Sequence, residues 1–222
     1  MPEVGLEAVG NSRESAPVFA VSDDIPPARL TEIDDVALAR ANEYRLLAAL
    51  LGQAPSGDVL RQVGAISGDA TKLGRAHAAL AEAARNTDAD SLAREYFDLF
   101  IGVGRGELLP YASYYLTGFL QERPLAQIRD NMASIGIART EDATEPDDHI
   151  AILCEMMAGM AARDFDVDLA TERRFFERHL KPWASRFFAD LESAGAARFY
   201  RNVGSLGRLF MEIEAEGFAM LA

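Results

Sequence analysis

Residues 95–118 read EYFDLFIGVGRGELLPYASYYLTG, and this stretch determines how we interpret the chain around it. Its first residues space apolar side chains as an amphipathic helix does, and three glycines at 102, 104 and 106 then interrupt the helix. Four tyrosines and two phenylalanines lie within the stretch. The pattern predicts a helix that ends in a glycine-containing loop, with aromatic rings on both sides of the break.

These rings have two interpretations. Rings beside a loop between packed helices suit a recognition surface, because they provide a large contact area at low rotamer cost. Large aromatic side chains are also common in hydrophobic cores. Composition alone favours the core, and a second motif farther along the chain changes that balance.

The second motif is EPDDH at residues 145–149, where the next helix is predicted to open. Together the two motifs resemble the TorD/DmsD family of redox-enzyme maturation chaperones. The family's aromatic-x-x-Leu-Phe-x-Gly signature is matched by residues 96–102, and its Pro-aromatic-x-Ser segment by residues 110–113. Its Glu-Pro-x-Asp-His motif is complete at residues 145–149, and the resemblance runs from about Ala37 to Glu216.

The resemblance implies a cytoplasmic chaperone and not an enzyme. Such a protein binds the twin-arginine signal peptide and the apo catalytic subunit of a molybdopterin oxidoreductase, of the formate dehydrogenase or dimethyl-sulfoxide-reductase type. It assists cofactor insertion before export. The lack of ligand spacing around His149 and the isolation of Cys154 predict that the protein carries no cofactor or metal of its own. Domain-swapped dimers occur in the family, so a homodimer is among the expected assemblies, since helix exchange is cheap where hinge loops are short.

The resemblance also implies binding residues, namely Tyr96, Leu99, Phe100, Pro110, Tyr111, Ser113, Pro146, Asp148 and His149. To these the chemistry of the sequence adds Leu109, Tyr115, Glu145 and Asp147. We expect a groove of aromatic and apolar side chains to take the apolar part of a signal peptide. We expect the carboxylates of residues 145, 147 and 148 to face its arginines. The glycine-rich residues 102–106 depart from the family pattern and leave the lining of the groove open.

Composition bounds the function classes. The net charge of −13 disfavours nucleic acid and anionic membranes as partners and favours a basic peptide. No apolar run reaches the ~18 residues of a membrane span, and no secretory signal pattern opens the sequence. The single cysteine, Cys154, fits a reducing compartment, and its place in an apolar segment predicts a buried side chain.

Apolar side chains recur at spacings of three and four residues from Ile33 to Ile213, and alternating β-branched runs are missing from the sequence. The pattern predicts an all-α fold, a single-domain irregular bundle of eight to ten helices over residues 31–222. Pro182 is expected to kink or split a helix, and Pro124 to lie in a first helical turn. Residues 1–30 hold four of the nine prolines and are predicted to form a flexible acidic tail.

Two other chemistries have some support from the sequence. The glycines at 102–106 suggest a phosphate loop, but helix-terminating glycines explain them equally, and neither a preceding strand nor a following Gly-Lys-Ser/Thr is present. The acidic residues near His149 suggest a metal site, but carboxylates are also favoured in a first helical turn, where Asp147 and Asp148 are expected. His149 is predicted to lie on the apolar face that carries Leu153.

Two further function classes stay open. One is a small all-helical hydrolase that uses Asp148 and His149, although adjacent helical residues point about 100° apart. The other is an adaptor that binds a folded subunit without binding a signal peptide. The identity of the protein that this chain captures from cells would distinguish the chaperone, the hydrolase and the adaptor.

Overall fold

Ten α-helices account for most of the chain in a computed structural model that describes residues 19–21, 34–139 and 145–221. A π-helical turn follows the fourth helix, and two short strands, β1 and β2, pair with each other. This architecture confirms the predicted all-α helical bundle. The elements in chain order are β1 (Phe19–Val21), α1 (Asp35–Leu51), α2 (Gly57–Gly64), α3 (Lys72–Arg85), α4 (Ala89–Tyr96), the π-helical turn (Phe97–Ile101), α5 (Ala112–Thr117), α6 (Arg123–Ser134), β2 (Ile137–Arg139), α7 (Ile150–Ala161), α8 (Leu169–His179), α9 (Ala184–Ser193) and α10 (Phe199–Met220).

Local sequence signals set many helix ends. Side-chain oxygens accept a hydrogen bond from a first-turn backbone N–H at the start of α1, α2, α3, α4 and α8. Asp88 is the acceptor at the start of α4, where an aspartate before a helical pattern is a recognised N-cap signal. Pro124 lies in the first turn of α6, and the segment around Pro182 separates α8 from α9. Both proline predictions are confirmed.

Helix α7 runs through the centre of the bundle, and all of its side chains except Glu155 are buried. Helix α1 packs antiparallel against it: Ala41 clusters with Ala161 at one end, and Gly52 lies beside Ala151 at the other. Cys154 is fully buried in α7, as its apolar surroundings predict, and burial raises the pKa of its thiol.

Helix α10 packs against α9 and α3. Its approach to α9 requires glycine, because a Cβ on Gly204 would lie 2.5 Å from the backbone nitrogen of Glu192. A Cβ on Gly207 would lie 2.3 Å from the ring of Phe188. The backbone of α10 therefore lies directly against α9 at both glycines. A larger side chain at either position would push the two helices apart.

The strands pair antiparallel, with Phe19 opposite Arg139 and Val21 opposite Ile137. The sequence did not predict them, because three-residue strands are too short to show alternation. Strand β1 falls within the predicted tail 1–30, and the rest of that tail lies outside the described residues. In the described ranges, none of the helices combines the length and apolar composition that a bilayer crossing requires.

Candidate functional site

The two sequence motifs meet in the structure. The backbone N–H of Ala112 donates to the carbonyl of Asp148 at 2.9 Å, and the N–H of Ile150 donates to the carbonyl of Pro110 at 2.9 Å. Between these bonds Tyr111 and His149 form an isolated antiparallel bridge. Their rings pack edge to face, with centroids 5.1 Å apart. Backbone pairing therefore fastens the segment before α5 to the segment before α7.

This pairing corrects the predicted start of α7. Asp147 and Asp148 were expected in the first helical turn and His149 on the apolar face of the helix, but α7 begins at Ile150. His149 is the N-cap, with φ −70° and ψ 139°, and its Nδ1 accepts a hydrogen bond from the N–H of Ala151 at 3.1 Å. The bridge to Tyr111 holds this backbone extended, so the helix starts at Ile150, after all three of these residues.

Seven of the thirteen predicted site residues are buried, namely Leu99, Phe100, Pro110, Ser113, Asp147, Asp148 and His149. One oxygen of Asp148 accepts the backbone N–H of Ser113 at 2.9 Å, in the first turn of α5. An oxygen of Asp147 lies 2.7 Å from the Nε of Arg129. This differs from the expectation that both carboxylates face the arginines of a peptide, because the protein uses them for its own contacts.

The geometry also disfavours Asp148 and His149 as an acid–base dyad. Burial lowers the pKa of His149 to about 3, so the ring is neutral at physiological pH. Its Nδ1 accepts the helix-cap bond, which places the proton on Nε2. Only 3% of His149 and 1% of Asp148 are exposed, so a substrate has no access to either group.

Four partly buried members form a different part of the site, which we call the tyrosine–glutamate surface: Tyr96, Tyr111, Glu145 and Pro146. The hydroxyl of Tyr111 donates to a carboxylate oxygen of Glu145 at 2.8 Å. The hydroxyl of Tyr96 donates to the carbonyl of Leu51, at the end of α1, at 3.2 Å. Burial, together with the charge of Glu145, raises the pKa of Tyr96 to about 12. The carboxylate of Glu145 therefore accepts a hydrogen bond from Tyr111 and also contributes to the raised pKa of Tyr96.

Sequence reasoning did not single out the apolar residues beside this surface. Phe97 is 43% exposed and Ile101 is 52% exposed, and both lie on the π-helical turn that continues from Tyr96. By contrast, Phe100 packs inward against Tyr96, with ring centroids 5.0 Å apart. Residues 97 and 101 repeat at a spacing of four, a signal that marks a second apolar face of the same helical segment.

The remaining predicted residues, Leu109 and Tyr115, line a separate cavity together with Arg105 and Arg186. The hydroxyl of Tyr115 donates to Asp190 at 3.0 Å. The single aromatic groove expected from the sequence is therefore divided between two places. Sequence reasoning did not single out Arg186, because α9 lies about 80 residues beyond the motif that it joins.

The glycine loop ends the π-helical turn. The N–H of Gly102 donates to the carbonyl of Phe97 at 2.7 Å, and Gly102 has φ +62°, which favours glycine. Glu107 anchors the end of the loop to the segment after α9, because its carboxylate accepts hydrogen bonds from the N–H groups of Gly195 and Ala196 at 2.6 and 3.0 Å. A helix, not a strand, precedes the glycines, and the helix-terminator interpretation fits. Among the described residues no three His, Cys, Asp or Glu side chains converge to hold a metal.

Comparison with known proteins places the chain among relatives. "Chaperone protein TorD" from Vibrio atlanticus (strain LGP32) is 28% identical over 138 residues, which cover 58% of this chain and 64% of the relative. "Chaperone protein TorD" from Vibrio cholerae serotype O1 (strain M66-2) is 28% identical over 130 residues, covering 54% and 59%. The chain thus covers less than two thirds of the length of these relatives.

A solved structure shares the fold. It is a candidate redox enzyme maturation protein from Archaeoglobus fulgidus, with a TM-score of 0.54 and 20% identity, and the match covers 84% of this chain and 99% of that one. The family model described as nitrate reductase delta subunit matches residues 67–189, more than half of the chain. The chain therefore belongs to this TorD-like family, the nitrate reductase delta subunit family.

Proposed function

We propose that this protein is a cytoplasmic chaperone that assists the maturation of a molybdopterin oxidoreductase and binds the twin-arginine signal peptide of the apo catalytic subunit. The client is of the formate dehydrogenase or dimethyl-sulfoxide-reductase type. Relatives named as TorD chaperones support the chaperone class. The tyrosine–glutamate surface supports the peptide-binding part.

The observation that carries the proposal is the position of Glu145. Glu145 is partly buried, its carboxylate accepts a hydrogen bond from Tyr111, and it lies at the edge of an aromatic surface. A guanidinium that approaches Glu145 gains a charge-assisted hydrogen bond to a carboxylate that the tyrosine already orients. Pre-orientation reduces the entropy that binding would otherwise cost.

The apolar residues complete the match with a signal peptide. Such a peptide presents a basic segment followed by an apolar segment, and the exposed Phe97 and Ile101 lie on the same helical segment as Tyr96. The proposed order of contacts is therefore arginines on Glu145 and apolar side chains on the π-helical turn. Asp147 and Asp148 have an indirect role in this scheme, since they hold the two motifs together.

The test is a titration of the whole protein with a labelled twin-arginine peptide, followed by fluorescence anisotropy. Glu145→Gln and Phe97→Ser are each expected to weaken binding about tenfold, in line with the loss of one good contact of ~1.4 kcal/mol. Glu216→Gln removes an exposed carboxylate at the far end of α10 and serves as the matched control, with unchanged affinity expected. Replacing both peptide arginines by glutamine is expected to reproduce the Glu145→Gln loss.

Equal affinity for the arginine and glutamine peptides, with the Glu145→Gln variant binding as well as the original protein, would reject signal-peptide recognition at this surface. Capture of a mature complex instead of an immature subunit would favour the adaptor alternative.

A further inference from the structure

A second cavity lies apart from the tyrosine–glutamate surface, between the glycine loop, α5 and α9. It encloses about 390 Å³ and is lined by Arg105, Tyr114, Tyr115, Leu116, Arg186 and Asp190, among others. No step of the proposed signal-peptide binding uses it. Its chemistry is set by two arginines that stack on two consecutive tyrosines.

The tyrosine rings hold both guanidinium groups in place. Nη2 of Arg105 donates to the hydroxyl of Tyr114 at 2.8 Å, and its Cζ lies 5.2 Å from the centre of that ring. Cζ of Arg186 lies 5.8 Å from the ring centre of Tyr115. Cation–π contacts of this kind orient a guanidinium and leave most of its N–H donors available. Within the described ranges, neither arginine has a carboxylate at ion-pair distance.

The nearby carboxylates are committed to other partners. Glu107 accepts two backbone N–H groups at the junction of α9 and α10. Asp190 accepts the hydroxyl of Tyr115 and forms no ion pair with Arg186, although the two are four residues apart on α9. Glu107 and Asp190 also line the cavity and keep their charge, but their oxygens accept from these neutral donors and neither forms an ion pair with Arg105 or Arg186. The guanidinium N–H donors of the two arginines are therefore left for the carboxylates of a ligand.

Exposed apolar side chains adjoin the two arginines. Leu116 lines the cavity and is 43% exposed, and the turn that follows carries Phe119 at 69% and Leu120 at 48%. A run of apolar side chains left in water beside two cations matches a partner that brings carboxylates and apolar side chains together. A small inorganic anion would leave the apolar residues uncovered.

We propose that the cavity and the adjoining leucines bind an acidic segment of a polypeptide, with carboxylates on Arg105 and Arg186 and apolar side chains on residues 116–120. The charge preference is opposite to that proposed for Glu145. The inference goes beyond signal-peptide binding and does not depend on it, so each of the two is tested with its own peptide.

The probe is a labelled, capped peptide of leucine, alanine and glutamate, titrated into the whole protein, beside the same peptide with glutamine in place of glutamate. We expect the glutamine peptide to bind at least tenfold more weakly to the unmodified protein. We expect Arg105→Gln combined with Arg186→Gln to weaken binding of the glutamate peptide to the same extent. Arg75→Gln combined with Arg174→Gln, two exposed positions on α3 and α8, is the matched control and is expected to leave affinity unchanged.

Leu116→Ser combined with Leu120→Ser tests the apolar half of the site, and circular dichroism verifies that each variant folds. Equal binding of the two peptides to the unmodified protein overturns the proposal without reference to any variant. Displacement of the glutamate peptide by millimolar inorganic phosphate, with the leucine variant binding normally, also overturns it and assigns a small-anion site instead. A twin-arginine peptide is expected not to compete.

Discussion

The side chain of His149 connects the two sequence motifs at a single residue. Its Nδ1 caps α7 and its ring packs on Tyr111, while its backbone pairs with the segment that precedes α5. The motif itself indicated that His149 is important but not what it contacts. Helical spacing placed it inside α7, because the bridge that extends its backbone comes from a residue 38 positions earlier.

We expect His149→Ala to lower the free energy of unfolding by about 2–4 kcal/mol, because it removes a helix cap and leaves a cavity beside Tyr111. His149→Asn replaces the Nδ1 acceptor at the N-cap by an amide oxygen and is expected to cost clearly less than the alanine variant. Urea denaturation of both variants measures the difference. Similar losses in both would show that the cap contributes little and that ring packing dominates.

The same residue makes stability depend on pH. The pKa of His149 falls from an ordinary value near 6.5 to about 3 on folding, so the unfolded state binds the proton first. The contribution of His149 to the free energy of unfolding is therefore fully present above pH 6.5 and is lost as the pH falls below that value. The loss for this group is about 2 kcal/mol between pH 7 and pH 5. His149→Asn is expected to remove that part of the loss. His179, whose pKa is lowered to about 4 by burial and by Arg178, keeps a similar dependence in the variant.

At the scale of elements, Glu95 shows how a helix start is supplied from elsewhere in the chain. Helix α10 has no side-chain cap of its own. Instead the carboxylate of Glu95, on α4, accepts the N–H groups of Arg198, Phe199 and Tyr200 at 2.8, 3.2 and 2.8 Å. A carboxylate at this position also complements the positive end of the helix dipole. The first residue of the aromatic stretch thus anchors the longest helix.

We expect Glu95→Ala to destabilise the fold by about 2–3 kcal/mol, since three buried or partly buried donors lose their acceptor. Hydrogen exchange at the amides of residues 198–200 is expected to accelerate more than exchange elsewhere in α10. Glu82→Ala, an exposed position on α3, is the control and is expected to change neither quantity. Uniform acceleration along α10 would mean that Glu95 stabilises the packing of the helix and not its start.

Helix ends were predictable wherever a local signal sets them, as at Asp88, Pro124 and Pro182. They were not predictable where tertiary contacts decide, as at the start of α7. The same division holds for the site. The motifs identified the segments that meet, but the burial of Ser113 and Asp148 depends on hydrogen bonds between distant parts of the chain.

At the scale of the whole molecule, Arg40 joins three helices. Its Nε and Nη2 donate to the two oxygens of Glu214 on α10 at 2.7 and 2.6 Å, and Tyr44 adds a third hydrogen bond at 2.8 Å. Nη2 also lies 2.7 Å from Glu172 on α8. Two buried carboxylates therefore share the guanidinium of Arg40, and Nη1 of Arg163 lies farther away, 3.9 Å from the second oxygen of Glu172. Burial raises the pKa of Glu172, and among the described residues neither of its oxygens has a well-directed hydrogen bond.

This arrangement predicts opposite effects for its members. Arg40→Gln leaves the buried Glu214 without its cation and leaves Glu172 with only the more distant Arg163, and it is expected to destabilise the protein by about 3–5 kcal/mol. Glu172→Gln removes a carboxylate whose burial outweighs its attraction to Arg40 and Arg163, and it is expected to be neutral or stabilising at pH 7.5. The folded pKa of Glu172 lies above its unfolded value near 4.5, so the folded state holds the proton longer and stability falls as the pH rises through that range. The stability of Glu172→Gln relative to the unmodified protein is therefore expected to increase between pH 5 and pH 7.5. Urea denaturation at both pH values measures this gain. Glu177→Gln on the surface of α8 is the control, because its ion pair with Arg173 is partly exposed and contributes little to stability. A Glu172→Gln variant that loses stability at both pH values would mean that the second carboxylate contributes a net attraction to Arg40, and that α1, α8 and α10 depend on all three charges.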